Sequence, residues 1–111
     1  MTSLTSLDLF NNKLTGAFPT EIGNLKNVAL FDASLNHFNG TLPSEIGLLT
    51  SLTLLNLIDN QLTGVLPTEI GHLTSLNDFQ ISSNMFTGII PTEIGLMSLL
   101  SKFCLSETSI S

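Results

Sequence analysis

The chain has 111 residues, of which three are Lys or Arg and nine are Asp or Glu, for a formal net charge of −6. That length fits one domain, and the shortage of cations excludes a nucleic-acid phosphate backbone as partner while favouring a basic one. No apolar run approaches the ~18 residues of a membrane-spanning helix.

In chain order, the first regular feature is an apolar alternation at Leu7 and Leu9. It returns every 24 residues, at Phe31 and Ala33, Leu55 and Leu57, Phe79 and Ile81, and Phe103 and Leu105. The alternation predicts a short strand with these side chains pointing inward. A column of Asn12, Asn36, Asn60 and Asn84 follows, where the strand ends. An amide carries donors and an acceptor, so this column is expected to satisfy backbone groups left unpaired at the turn and to form a ladder between coils. Thr108 holds the position in the last copy, where a hydroxyl satisfies fewer groups than an amide.

Next come Gly16, Gly40, Gly64 and Gly88, then Pro19, Pro43, Pro67 and Pro91, all in the same phase. The glycines fit a turn or a close approach of neighbouring backbones, and the prolines hold the returning chain extended. Each Pro leads into a hydroxyl residue (Thr20, Ser44, Thr68, Thr92) and a Glu-Ile-Gly segment. There the hydroxyl is expected to cap a short helical turn, with the carboxylate favourably placed near its N-terminus. A second reading takes the four hydroxyls as a flat array at the roughly 4.8 Å spacing of neighbouring strands, able to order water or ice.

A 24-residue period is the mark of a solenoid, in which each coil contacts only its neighbours. The copies run 4–27, 28–51, 52–75 and 76–99, with a partial copy at 100–111, so 1–111 is read as one repeat domain. The pattern L-x-x-L-x-x-L-x-L-x-x-N-x-L-T-G-x-I-P resembles the plant-type leucine-rich repeat of receptor-like kinase ectodomains and polygalacturonase-inhibiting proteins. The resemblance covers essentially the whole chain. It implies an α/β-type solenoid, a right-handed superhelix with a concave parallel β-sheet and about four and a half repeats, plus a second small sheet at the T-G-x-I-P stretch. Secreted proteins with this repeat usually close their ends with paired cysteines. Here Cys104 stands alone and the repeats start at Leu4, so the ends are expected to be uncapped and any export signal to lie outside this sequence.

Little points to chemistry. His37 and His72 occupy different columns, and no nucleophile, carboxylate or thiol accompanies either at a catalytic or metal-binding spacing. No catalytic residue, metal site or cofactor is expected. Asn39-Gly40-Thr41 is an N-glycosylation sequon at a column that is Thr15, Thr63 and Thr87 elsewhere, which makes Asn39 a candidate acceptor on an exposed turn.

Function is expected at the positions left free by the scaffold, between and beside the strand leucines. Phe10, Leu30, Leu35, Leu54 and Ile58 place apolar side chains on a face that should be wet, next to Asp8, Asp32 and Asn56. An apolar patch beside carboxylates suggests a docking surface for a protein or peptide, with the acids favouring a basic segment. By resemblance the chain is a recognition module of an extracellular or cell-surface protein, with no direct membrane insertion of its own. The alternatives are a structural, adhesive or ice-binding array working through its repeated columns, or an inhibitor of a secreted polysaccharide hydrolase.

Overall fold

The structure, a computed structural model, describes residues 4–110, so Ser111 of the partial fifth repeat and the residues before Leu4 lie outside the description. Among the described residues, nine strands alternate between two parallel sheets. The five-stranded sheet takes one strand from each coil: β1 (Ser6–Asp8), β3 (Leu30–Asp32), β5 (Leu54–Asn56), β7 (Asp78–Gln80) and β9 (Lys102–Cys104). Its register is the repeat itself, with Leu7 opposite Phe31, Phe31 opposite Leu55, Leu55 opposite Phe79 and Phe79 opposite Phe103.

The second sheet lies across the asparagine turn from the first. It consists of β2 (Thr15–Gly16), β4 (His37–Thr41), β6 (Gln61–Gly64) and β8 (Met85–Phe86), in that order. A short 3-10 turn closes each of the first four coils, at Thr20–Asn24, Ser44–Leu48, Thr68–His72 and Thr92–Leu96. The expected second sheet is therefore present, and the expected helical turn is a 3-10 one.

The core is a column of stacked side chains. In the inner coils Phe31, Ala33, Leu55, Leu57, Phe79 and Ile81 are all buried, joined by Ile46, Ile70, Leu52 and Leu76 from the returning segments. Leu7, Leu9, Phe103 and Leu105, the same positions in the outer coils, are only half-buried, because a coil is shielded by the neighbours on its two sides. Phe18 fills the first coil by stacking on Phe38 at 4.3 Å between ring centroids and meeting Phe31 edge-on at 6.0 Å.

The asparagines form the expected ladder. Asn60 Nδ2 donates to the carbonyls of Leu57 and Ile58 in its own coil and of Ala33 in the preceding one, while its Oδ1 accepts from the backbone of Phe38 at 3.1 Å. Asn84 repeats this set one coil on, reaching back to Leu57 O at 2.7 Å and Leu62 N at 3.1 Å. Asn36 accepts from both Asn12 N and Leu14 N. In the last coil the Thr108 hydroxyl donates to Leu105 O at 2.7 Å, which copies the bond within the coil and leaves out the bonds back to the preceding one.

Glycine sets how closely the coils approach. A Cβ built on Gly47 would fall 2.6 Å from Glu69 O of the next coil, and one on Gly71 would fall 2.7 Å from Glu93 O, whereas one on Gly95 meets nothing within 4 Å. Gly64 combines a positive φ of 78° with a Cβ position 2.8 Å from Thr41 Cγ2 of the coil before, so both reasons expected for that glycine column apply.

One expectation is corrected. The 3-10 turns are preceded by Pro19, Pro43, Pro67 and Pro91 at the cap position, and no side chain caps any of them. The Thr20, Ser44, Thr68 and Thr92 hydroxyls donate instead to the adjacent Glu Oε1 at 3.4–3.5 Å. The hydroxyl residue is already inside the turn, so its oxygen no longer lies over the free N–H groups, while the Glu does occupy the first turn as expected.

These contacts yield two stability expectations. Leu57→Ala should cost about 2 to 5 kcal/mol by emptying a position packed on both sides, whereas a loss below about 1 kcal/mol in reversible unfolding would contradict the stack. Gly47→Ala should cost about 1 to 3 kcal/mol as an overpacked contact. Gly95→Ala should be nearly neutral in the same measurement, and equal effects at the two positions would reject close coil approach as the reason for this glycine column.

Candidate functional site

The strands turn alternate side chains outward, and the register brings those of neighbouring coils side by side. One row runs Ser6, Leu30, Leu54, Asp78 and Lys102, and a second runs Asp8, Asp32, Asn56, Gln80 and Cys104. The candidate residues Asp8, Leu30, Asp32, Leu54 and Asn56 thus form one contiguous patch on the first three strands. Leu30 is 47% exposed and Leu54 is half-buried, Leu30 having the small Ser6 as its register partner on one side. Phe10, 49% exposed, and half-buried Ile58 stand just past the ends of β1 and β5 and extend the patch toward the turn.

Asp8 and Asp32 are register partners, so their like charges are adjacent as expected. The structure adds what makes this tolerable. Asp8 Oδ1 accepts from Phe10 N at 3.0 Å, and Asp32 Oδ1 accepts from Ser34 N at 3.0 Å and from the Ser34 hydroxyl at 2.6 Å. Asn56 Oδ1 accepts in the same way from Ile58 N at 3.1 Å. Each side chain thus bends the backbone two residues on, the usual local bond of Asp and Asn at turns. These three candidates therefore serve the scaffold as well as the surface. The signal was available in the sequence as Asp, Asp and Asn at one phase of three consecutive repeats.

Leu35 stands apart from the other candidates. It lies in the turn with φ of 57°, in a column whose other members, Asn11, Asp59, Ser83 and Glu107, share the left-handed conformation and are all polar. Its N–H donates to Ile58 O of the next coil at 2.9 Å, which fixes the backbone, and its side chain is 40% exposed. Leu35 lines an open hollow of about 450 Å³ on the flank of the coils with Asn11, Lys13, His37, Asp59 and Gln61. Lys13, His37 and Gln61 were not picked out as site residues from the sequence, because only the turn folds them beside the strand ends.

Among the described residues no cluster of His, Cys, Asp or Glu is arranged to hold a metal ion, and no helix is long and apolar enough to cross a membrane. Cys104 is a half-buried free thiol in the outward row of β9.

A family model described as Leucine Rich Repeat matches residues 3–25 and 51–73. Among solved structures, the plant peptide hormone receptor RGFR1 in complex with RGF2 superposes with a TM-score of 0.96 at 36% identity, covering 98% of this chain and 18% of the receptor chain. The Arabidopsis receptor kinase HAESA, solved with the peptide hormone IDA and the co-receptor SERK1, matches at 0.93 and 33% identity over 99% of this chain and 18% of its own. The ectodomain of the receptor kinase SOBIR1 from Arabidopsis thaliana matches at 0.90 and 31% identity, covering 98% of this chain and 59% of its own. The chain thus spans between about a fifth and three fifths of these three chains. No curated protein sequence matches it.

The left-handed leucine supplies a prediction independent of any ligand. A non-glycine side chain in this region costs about 1–2 kcal/mol, and Asn tolerates it best after Gly. Leu35→Asn should therefore raise stability by up to about 1 kcal/mol in denaturant unfolding, and a loss of stability would show that the leucine side chain is held by packing.

Proposed function

Starting from a chain built of plant-type leucine-rich repeats, we propose that it binds a protein or peptide ligand across its concave five-stranded sheet. The observation that carries this reading is the patch of Leu30, Leu54, Phe10 and Ile58, apolar and reached by solvent, bordered by the register pair Asp8 and Asp32. Two structural neighbours are receptors solved with peptide hormones, which supports a peptide-sized ligand. Others are described as receptor ectodomains, which supports an extracellular or cell-surface location.

The ligand is basic in this reading. Asp8, Asp32 and Asp78 lie on the first four strands and the sheet's cation, Lys102, stands on the fifth, while Asp59 shares its flank hollow with Lys13. Such a field steers an oppositely charged segment to the sheet and sets its orientation, while the leucines supply apolar contact. The Asp8 and Asp32 side chains are already held by their turn bonds, so little ordering of these two is left to oppose binding. No residue in the patch is assigned a catalytic step.

Calorimetry with lysine-rich synthetic peptides, and with acidic peptides of equal length as controls, tests the reading. The basic peptides should bind, and Leu54→Lys should weaken them by about tenfold or more. Asp32→Asn, which keeps the oxygen that accepts from Ser34 while removing the charge, should weaken binding less and flatten its salt dependence. Glu69→Gln, on the repeated scaffold column, should change nothing. Equal binding of acidic peptides would overturn the basic-ligand reading, and loss of binding in Glu69→Gln alone would move function to the repeated columns.

A further inference from the structure

We infer that Asn39 is a built acceptor for one N-linked glycan, carried on the second sheet away from the concave face. Two columns must depart from the repeat together to create such a site. The first reads Thr15, Asn39, Thr63, Thr87, and the second, two residues on, reads Ala17, Thr41, Val65, Ile89. Coil two alone has an amide in the first column, and it alone has a hydroxyl in the second. Neither change serves the fold, since the other coils build the same turn without it.

The conformation of this stretch suits the modification. Within β4 the exposure alternates, so Phe38 turns into the core while His37, Asn39 and Thr41 stay exposed. The Asn39 backbone pairs with Gln61 on β6, whose unbranched side chain is exposed, and Thr15 on β2, the register partner of His37, is exposed as well. Thr41 leans its methyl toward Gly64, whose missing Cβ would otherwise lie 2.8 Å from it. A sugar on Asn39 Nδ2 would therefore leave into solvent, with the asparagine turn between it and the Leu30–Leu54 patch. The Asn39 amide nitrogen gives up one proton and forms a bond to the anomeric carbon of the first sugar, while the bond from that carbon to the diphosphate of a lipid-linked oligosaccharide donor breaks and the lipid diphosphate leaves with its electron pair. This is the ordinary group transfer to an Asn-X-Thr segment, in which X is any residue except proline.

The inference rests on the extracellular reading only in that the chain must pass through a glycosylating compartment, and the test supplies that passage. The chain is expressed behind a secretion leader in a eukaryotic host, and its intact mass is measured before and after peptide N-glycosidase. One glycan per chain is expected, removed by the enzyme. It should be absent in Asn39→Thr and Thr41→Val and retained in Thr41→Ser. Asn39→Thr installs the residue found in the other three coils, and Thr41→Val the residue of the third coil, so both variants should fold, which circular dichroism checks. A secreted, folded wild-type chain of unmodified mass would overturn the inference, as would a glycan that survives in Asn39→Thr. Failure of peptide binding in the separate calorimetric test would leave this result unaffected.

Discussion

The asparagine ladder is the interaction on which the rest of the structure depends. A solenoid must turn its backbone inside the molecule, and every such turn leaves carbonyls and N–H groups that water cannot reach. A buried polar group left without a partner costs about 1–3 kcal/mol, and a turn presents several of them. Asn36, Asn60 and Asn84 answer this by spending the amide nitrogen on carbonyls of two successive coils and the amide oxygen on an N–H of the preceding one. Among the described residues no buried side-chain polar atom is left without a partner. With the turns settled, the strands fall into register and the leucine column closes.

That arrangement explains why the outward face is free to carry specificity. Coil-to-coil energy resides in the inward column, in the ladder and in the close contact of the Gly-Glu segments. Substitution at an outward position disturbs few of these contacts. The freedom is uneven, however. Asp8, Asp32 and Asn56 both face outward and bend their own turns, so charge and local geometry are coupled at the centre of the patch. Phe10, Leu30, Leu54 and Ile58 are not bound in this way, and an apolar side chain left in reach of water on such a sheet is the kind of surface that a partner covers.

Much of the fold was legible because a repeat multiplies its own signal. A single Leu-x-Leu is ambiguous between strand and helix, but five copies at one phase leave only a coil with one strand in it. The same multiplication identified the asparagines, the positive-φ glycines and the need for close approach. What escaped the sequence lay in local stereochemistry. The hydroxyl before Glu reads as a helix cap, yet a one-residue shift in where the 3-10 turn begins, set by the preceding proline, turns it toward its neighbouring carboxylate instead. The second duty of Asp8, Asp32 and Asn56 was visible as a phase but was read as variation.

For the candidate site, the sequence determined by itself which residues face outward, because strand alternation and the 24-residue period are fixed by covalent geometry and hold in every coil. It also determined that Leu30 and Leu54 are neighbours, since in-register stacking makes sequence separation equivalent to a spatial step. Only the tertiary structure decided that Leu35 leaves the sheet for a left-handed turn and that Lys13, His37 and Gln61 gather beside it. It likewise decided that Asn39 and Thr41, expected on an exposed turn, stand exposed on a strand of the second sheet. Those outcomes depend on backbone dihedrals at the bend, which are imposed by hydrogen bonds to the neighbouring coils and leave only a faint trace in the sequence, the polar residues Asn11, Asp59, Ser83 and Glu107 in the column of Leu35.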